Sequence, residues 1–297
     1  MSTSTKSSLK YVQLLCVLVA PLLVLGPFLP DVIISLLSIW FIYFIIKNKY
    51  YYIFKNNYFF YFLLFWIACI VSSLFSENIL LSLKSSFFYI RIGIFSLLIS
   101  YLIDQDKKIL NYFYYVLLFL FSLLTLDGYL QFITGKNLIG LKIYQGYRVT
   151  SFFGDEQILG SFLARLFPLL FALFVIRKKN YYEIIFMSFL FLSIDILVFL
   201  AGERAAFALL NLSTIFIILF ISKYKLLRFG IFILSLVIIS FFLNNNSKLY
   251  ERYILSPLEG ISTYKLNSSN KIIFSQNHDS MIRTAYNMFK DRPLIGH

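Results

Sequence analysis

The chain has 297 residues, of which 60% are hydrophobic and 14% charged, with a mean hydropathy of +0.79. That balance excludes a soluble globular domain and defines a polytopic membrane protein. The formal net charge of +13 is carried by Lys and Arg scattered between apolar runs rather than gathered on one face, so nucleic acid is not expected as a partner.

Nine apolar runs are long enough to cross about 30 Å of hydrocarbon. They are Tyr11–Phe28, Val32–Ile46, Tyr58–Phe75, Phe87–Ile103, Ile109–Ile133, Ile158–Ile176, Ile184–Leu200, Arg204–Ile221 and Leu226–Leu243. The first run lacks a small-residue cleavage site before a soluble domain and reads as a retained span. Cys16 and Cys69 both fall inside runs and read as buried thiols; no metal site and no cofactor are expected. The expected fold is therefore an all-α bundle of about nine transmembrane helices over residues 1–243, followed by the start of an external loop over 244–297. Within that loop Met281, Ile282, Ala285, Met288 and Phe289 recur at helical spacing until Pro293, which predicts an amphipathic helix over Asp279–Asp291 lying across the outer mouth of the bundle.

Short loops retain Lys and Arg on the cytoplasmic side. With the N-terminus inside, the inner loops take Lys6, Lys10, Lys47, Lys49, Lys55, Lys107, Lys108, Arg177, Lys178, Lys179, Lys223, Lys225 and Arg228. The outer ones keep only Lys84, Lys136, Lys142, Arg148 and Arg204. The external segments are then Pro27–Pro30, Ser76–Lys84, Gly135–Glu156, Gly202–Glu203 and everything after Asn244.

Four spans contain an ionisable residue, Arg91, Asp127, Arg165 and Asp195, each within about eight residues of its predicted outer end, or ~12 Å at the helical rise. Such residues normally face a protein interior or a wet cavity. Gln157, Ser161 and Arg165 recur every four residues and predict a polar stripe continuous with Asp155 and Glu156, with Pro168 breaking or kinking the helix below. The plainer reading is that Arg91 and Arg165 neutralise Asp127 and Asp195 in structural pairs.

The short turn Ala201-Gly-Glu-Arg-Ala-Ala-Phe207 places Glu203 and Arg204 between two spans, flanked by small residues that permit close helix approach. A guanidinium stays charged at any working pH and forks onto phosphate oxygens, so outer arginines suit a lipid-linked diphosphate. Transfer of a sugar from such a carrier needs the leaving diphosphate stabilised, which fixed arginines supply without a metal. It also needs a base for the acceptor hydroxyl. His278 lies in the external tail, where a lone histidine reads as surface.

Several stretches resemble the O-antigen ligase and polymerase superfamily of bacterial inner-membrane glycosyltransferases. Ala201–Phe207 resembles the segment carrying an essential arginine at the outer start of a helix. Arg283-Thr-Ala-Tyr-Asn-Met-Phe-Lys-Asp-Arg-Pro-Leu-Ile-Gly296 resembles the part of the large periplasmic loop in which a second arginine precedes a Pro-Leu-x-Gly turn. Arg148–Ser161 is similar to the stretch before the family's middle helix, and Gln131–Gly135 to the external turn before that.

The resemblance implies that Arg204 and Arg283 act on the diphosphate of an undecaprenyl-linked glycan, with Arg148, Glu156, Arg165, Glu203 and Arg91 as substrate-binding candidates. It implies an inverting, metal-independent transfer at the periplasmic face to a lipid A-core acceptor, as in lipopolysaccharide assembly, or to a growing polysaccharide. Membrane lipids are further partners. In the family the loop continues to a histidine base and further spans, so the chain is expected to be C-terminally truncated. Two readings stand beside the ligase: a polymerase of the same superfamily and, from another class, a transporter of an anionic solute. A structural membrane protein without activity is a further alternative.

Overall fold

The computed structural model describes residues 3–258 and 276–293, with the side chains of 3–8 and 276–278 left aside. The expectations for His297, for the side chain of His278 and for the Leu294–Gly296 part of the turn fall outside the described residues. Among the described residues the fold is all-α, a polytopic membrane protein without strands; two isolated antiparallel bridges, Lys136 with Lys142 and Tyr144 with Arg148, are the only extended pairings. The helices are α1 (Thr3–Leu22), α2 (Phe28–Asn48), α3 (Asn57–Leu74), α4 (Ile79–Phe88), α5 (Ile90–Gln105) and α6 (Ile109–Thr134). They continue as α7 (Leu159–Ile176), α8 (Tyr181–Leu200), α9 (Arg204–Phe220), α10 (Lys225–Asn245), α11 (Ser247–Tyr250) and α12 (Gln276–Asp291).

Seven stretches are long and apolar enough to cross a membrane, α4 and α5 counting together, and two shorter apolar helices, Leu9–Leu25 and α9, complete the series. A backbone in hydrocarbon must satisfy its own hydrogen bonds, and helices do so within each segment. Seven of the nine runs accordingly coincide with one helix each, while Tyr11–Phe28 runs past the end of α1 at Leu22 and Phe87–Ile103 straddles the junction of α4 and α5. Two local expectations need correction. Residues Ser76–Lys84 were expected as a loop, yet α4 occupies most of them, started by Asn78, whose side chain accepts from the Leu81 N–H at 3.4 Å. Of the break or kink expected at Pro168 the break does not occur, since α7 runs on to Ile176; the proline costs one intrahelical bond, which a helix packed against α8 and α9 tolerates.

The chain divides into two compact units between Ile109 and Leu110, α12 belonging to the first. In the first unit α2 packs on α1 and α5, and α3 on α4 and α5. Gly93 of α5 permits this last approach, since a Cβ there would lie 2.1 Å from the ring of Phe62. Phe41, Phe44 and Tyr101 fill the α2–α5 seam with ring centroids 5.7–6.4 Å apart. The amphipathic helix α12 spans Gln276–Asp291, three residues longer at its start than expected. Its apolar side chains flank a groove of about 930 Å³ beside Ser72, Ser76, Ser82 and Ser85, and an Arg292 nitrogen donates to the Phe75 carbonyl at 3.1 Å.

In the second unit α7, α8, α9 and α10 pack around Phe167, Phe171, Phe174 and Phe191, whose centroids lie 5.4–6.4 Å apart. Into this aromatic core reaches Arg228 of α10, fully buried, with its guanidinium 4.6 Å above the Phe167 ring. Its nitrogens donate to both carboxylate oxygens of Asp195 on α8 at 2.7 and 2.8 Å and to the hydroxyl of Thr214 on α9. The expected partners of Asp195 were Arg91 or Arg165; Arg228, counted above as a loop residue, is the actual one.

Candidate functional site

The geometry of the site begins with the loop between α6 and α7. Asp127 and Gln131, one turn apart on α6 and both fully buried, face this loop and hold it. Asp127 accepts from the Leu138 N–H at 2.8 Å, the Ser151 hydroxyl at 2.6 Å and the Asn137 amide at 3.4 Å. The Gln131 side-chain oxygen accepts from the N–H groups of Thr150 and Ser151 at 2.9 and 2.8 Å, and its nitrogen donates to the carbonyls of Leu141 and Lys142. Among the described residues Asp127 therefore has no cation as its partner, contrary to the pairing expected from sequence. Its role is to satisfy loop donors that would otherwise be buried unpaired.

This clamp delivers Arg148. The Val149 N–H donates to the Leu200 carbonyl at 3.2 Å, joining the loop to the end of α8. Arg148, buried, then donates through Nε to the Ala201 carbonyl at 3.1 Å. Gly202 is required here for two reasons. Its φ of +70° lies in the left-handed region, and a Cβ would come within 2.9 Å of Arg148 Nε. The glycine thus lets both the turn and the arginine exist, whereas Ala206, buried, supplies the close helix approach by lying against Gly160 of α7.

Glu203 has a structural duty. Its carboxylate accepts from the N–H groups of Gly160 and Ser161 at 2.7 and 3.1 Å and from the Ser161 hydroxyl. These are orphan donors in the first turn of α7, so Glu203 caps that helix from across the bundle, and a negative charge at a helix N-terminus is favourable. A carboxylate so engaged offers no lone pairs to a substrate hydroxyl along those directions, and only partly offsets the arginines beside it.

Arg204, the first residue of α9, has no hydrogen-bond or ion-pair partner among the described residues. Its electrostatic neighbours are Arg252, Tyr253 and Tyr147. Sequence reasoning passed over Arg252 and Tyr253, which sit in a π-helical turn, Glu251–Leu255, after α11. Arg252 Nε donates to the Gly202 carbonyl at 3.3 Å. Tyr253 stacks on Phe199 with centroids 4.6 Å apart, meets Phe207 edge-on at 5.9 Å, and donates its hydroxyl to the Phe199 carbonyl at 2.8 Å. Burial raises the pKa of the Tyr253 hydroxyl, so it remains a donor. Burial, and then the nearby Arg252, lower that of Arg148. The signal that could have found Arg252 is its position nine residues past the last apolar run, which ends at Leu243.

The remaining candidates are Arg165, Glu156, Arg91 and Arg283. Arg165 is exposed on α7, and because α7 starts at Leu159, Gln157 and Glu156 precede the helix and the expected stripe reduces to Ser161 and Arg165, with the Ser161 hydroxyl held by Glu203. Glu156 is exposed. Arg91 and Arg283 belong to the first unit. Arg91 pairs with Asp31 at 2.5 Å and donates to the Ser35 hydroxyl at 3.1 Å, and its carbonyl accepts from Ser38 at 2.9 Å. It has no aspartate from a neighbouring run, because Asp31 stands one residue before the run that sequence defined. Arg283, half exposed on α12, pairs with Asp279 one turn earlier at 2.5 Å.

The second unit therefore brings Arg148, Arg204 and Glu203 to one turn and adds Arg252, giving three guanidinium groups against one carboxylate that is committed to a helix end. Such an arrangement can bind and stabilise a multiply charged anion. The chain matches no family model, no curated protein and no solved structure.

Proposed function

We propose that the chain is a membrane glycosyltransferase that moves a glycan from an undecaprenyl-diphosphate carrier to a sugar hydroxyl, with the Ala201–Glu203 turn on the periplasmic side of the bacterial inner membrane. The observation that carries this reading is Arg204, without a hydrogen-bond or ion-pair partner among the described residues at the start of α9, next to Arg252, which in turn neighbours Arg148. In this reading the arginines stabilise the charge that builds on the departing diphosphate, and fixed donors of that kind contribute about 10²–10³ in rate each. They transfer no proton, since a guanidinium stays protonated. The distribution of Lys and Arg between alternate loops supports the orientation, and the resemblance of Ala201–Phe207 and Arg283–Gly296 to the O-antigen ligase superfamily supports the donor. Ligase and polymerase readings share this site and differ in the acceptor.

The test is complementation of a strain lacking glycan transfer with the full-length gene. Arg204→Ala inserts normally and abolishes transfer, whereas Arg91→Ala, which removes the part-exposed pair with Asp31 and the bond to Ser35 in the first unit, retains it. Normal glycan display in the Arg204→Ala strain would falsify the assignment. Accumulation of single repeat units on the carrier identifies the polymerase instead of the ligase.

A further inference from the structure

We infer that Arg252 is a third anion ligand of the Ala201–Glu203 turn and that it gives the site its preference for a diphosphate over a single phosphate. This rests on the reading above that the turn holds a phosphate-bearing group, and it adds a residue and a discrimination to it.

Arg148 and Arg252 approach the turn from opposite sides in sequence and are tethered in the same manner. Each donates its Nε to one of two successive carbonyls, Ala201 for Arg148 and Gly202 for Arg252. Neither terminal nitrogen of either guanidinium has a hydrogen-bond partner among the described residues. The tether fixes each guanidinium and leaves its fork available, which is the preorganised state in which an arginine loses least entropy on binding.

Arg252 is held from both sides along its own chain. Before it, α11 is capped by Asn246, which accepts from the Leu249 N–H at 3.2 Å, and Leu249 is fully buried. After it, the ring of Tyr253 is fixed between Phe199 and Phe207. An exposed surface arginine has no need of such support.

Charge then selects the ligand. Three guanidinium groups crowd one turn while its carboxylate caps α7, and the lowered pKa of Arg148 reflects both burial and Arg252. One phosphate can accept from several forks, but only from those that converge on a single centre. Arg148 and Arg252 are tethered to different carbonyls of the turn, and a diphosphate carries more negative charge spread over two sets of terminal oxygens, so it matches separated guanidinium groups more fully than one phosphate does.

The experiment uses the full chain, purified in detergent, and measures affinities for inorganic pyrophosphate and inorganic phosphate by calorimetry. The wild-type protein binds pyrophosphate about tenfold or more tightly than phosphate, and Arg252→Gln removes most of that preference by weakening pyrophosphate about tenfold. Arg252→Lys, a point charge without the fork, retains part of it and serves as the reading if Arg252→Gln fails to fold. Unchanged pyrophosphate affinity in a folded Arg252→Gln protein, or a wild-type protein that binds neither probe, overturns the inference. Farnesyl diphosphate that displaces pyrophosphate supports it with a lipid-linked source, and failure to displace supports it with a soluble one. Loss of pyrophosphate binding on Arg252→Gln in a protein that transfers no glycan in cells refutes the glycosyltransferase reading and leaves Arg252 assigned. Transfer that persists with unchanged pyrophosphate binding in Arg252→Gln refutes only the role of Arg252.

Discussion

Arg228 and Asp195 form a two-pronged ion pair at 2.7 and 2.8 Å in the aromatic core of the second unit, each almost completely buried. The pair joins α10 to α8, and the Thr214 hydroxyl adds α9 to the same node. It takes no part in the arginine cluster at the turn, so its consequences are for stability.

Removing one partner leaves an uncompensated charge in a low-dielectric interior. Arg228→Met or Asp195→Leu alone is expected to destabilise the chain by about 3–5 kcal/mol, and the double variant to recover most of that loss. Thermal unfolding of the detergent-solubilised protein measures both. A double variant no more stable than either single one would mean that the charges are held by interactions other than each other.

Glu203→Ala removes the cap of α7 and is expected to cost about 0.5–2 kcal/mol. Anion affinity at the turn should stay the same or rise, because a negative charge is lost beside three arginines. A fall in pyrophosphate affinity without a change in melting temperature would instead mark Glu203 as a ligand.

Gly202→Ala tests the turn itself. The left-handed backbone costs about 1–2 kcal/mol for a residue with a Cβ, and that Cβ would press on Arg148 Nε at 2.9 Å. The expected result is a lowered melting temperature together with weakened anion binding. Asn at this position, more tolerant of the left-handed region, should recover part of the backbone cost and none of the steric one.

Asp127→Ala removes the acceptor of the Leu138 N–H and strands the buried Ser151 hydroxyl, at about 1–3 kcal/mol for a buried group left unsatisfied, while the Asn137 amide keeps its bond to the Ser151 carbonyl at 3.1 Å. The loop of residues 135–151 should become susceptible to limited proteolysis while the helical content, read by circular dichroism, is retained. Resistance equal to that of the wild-type protein would show that Gln131 alone secures the loop.

The helices were legible in the sequence because apolar length alone decides what crosses a bilayer, and the turn between α8 and α9 was legible because Gly202, Glu203 and Arg204 interrupt two such runs. The amphipathic helix α12 was legible from the spacing of Met281, Ile282, Ala285, Met288 and Phe289. Partnerships of the charges were not. Arg228 stands only three residues into α10, where hydropathy counts it with the loop, and its long side chain carries the charge inward to Asp195, 33 residues away. Arg91 finds Asp31 because α2 and α5 start at the same end of their unit, a fact of packing and not of spacing. Arg252 follows a polar Asn and Ser stretch that resembles any surface tail until Tyr253 is seen between Phe199 and Phe207.

The two carbonyls of the turn accept arginines from 53 residues upstream and 50 residues downstream. The chain is made from its N-terminus, so Arg148, the turn and Arg204 are synthesised before α10 and Arg252 after it. Arg252 arrives last, after α10 has been threaded. The nascent chain thus gains the third arginine of this turn only after α7, α8, α9 and α10 have been made.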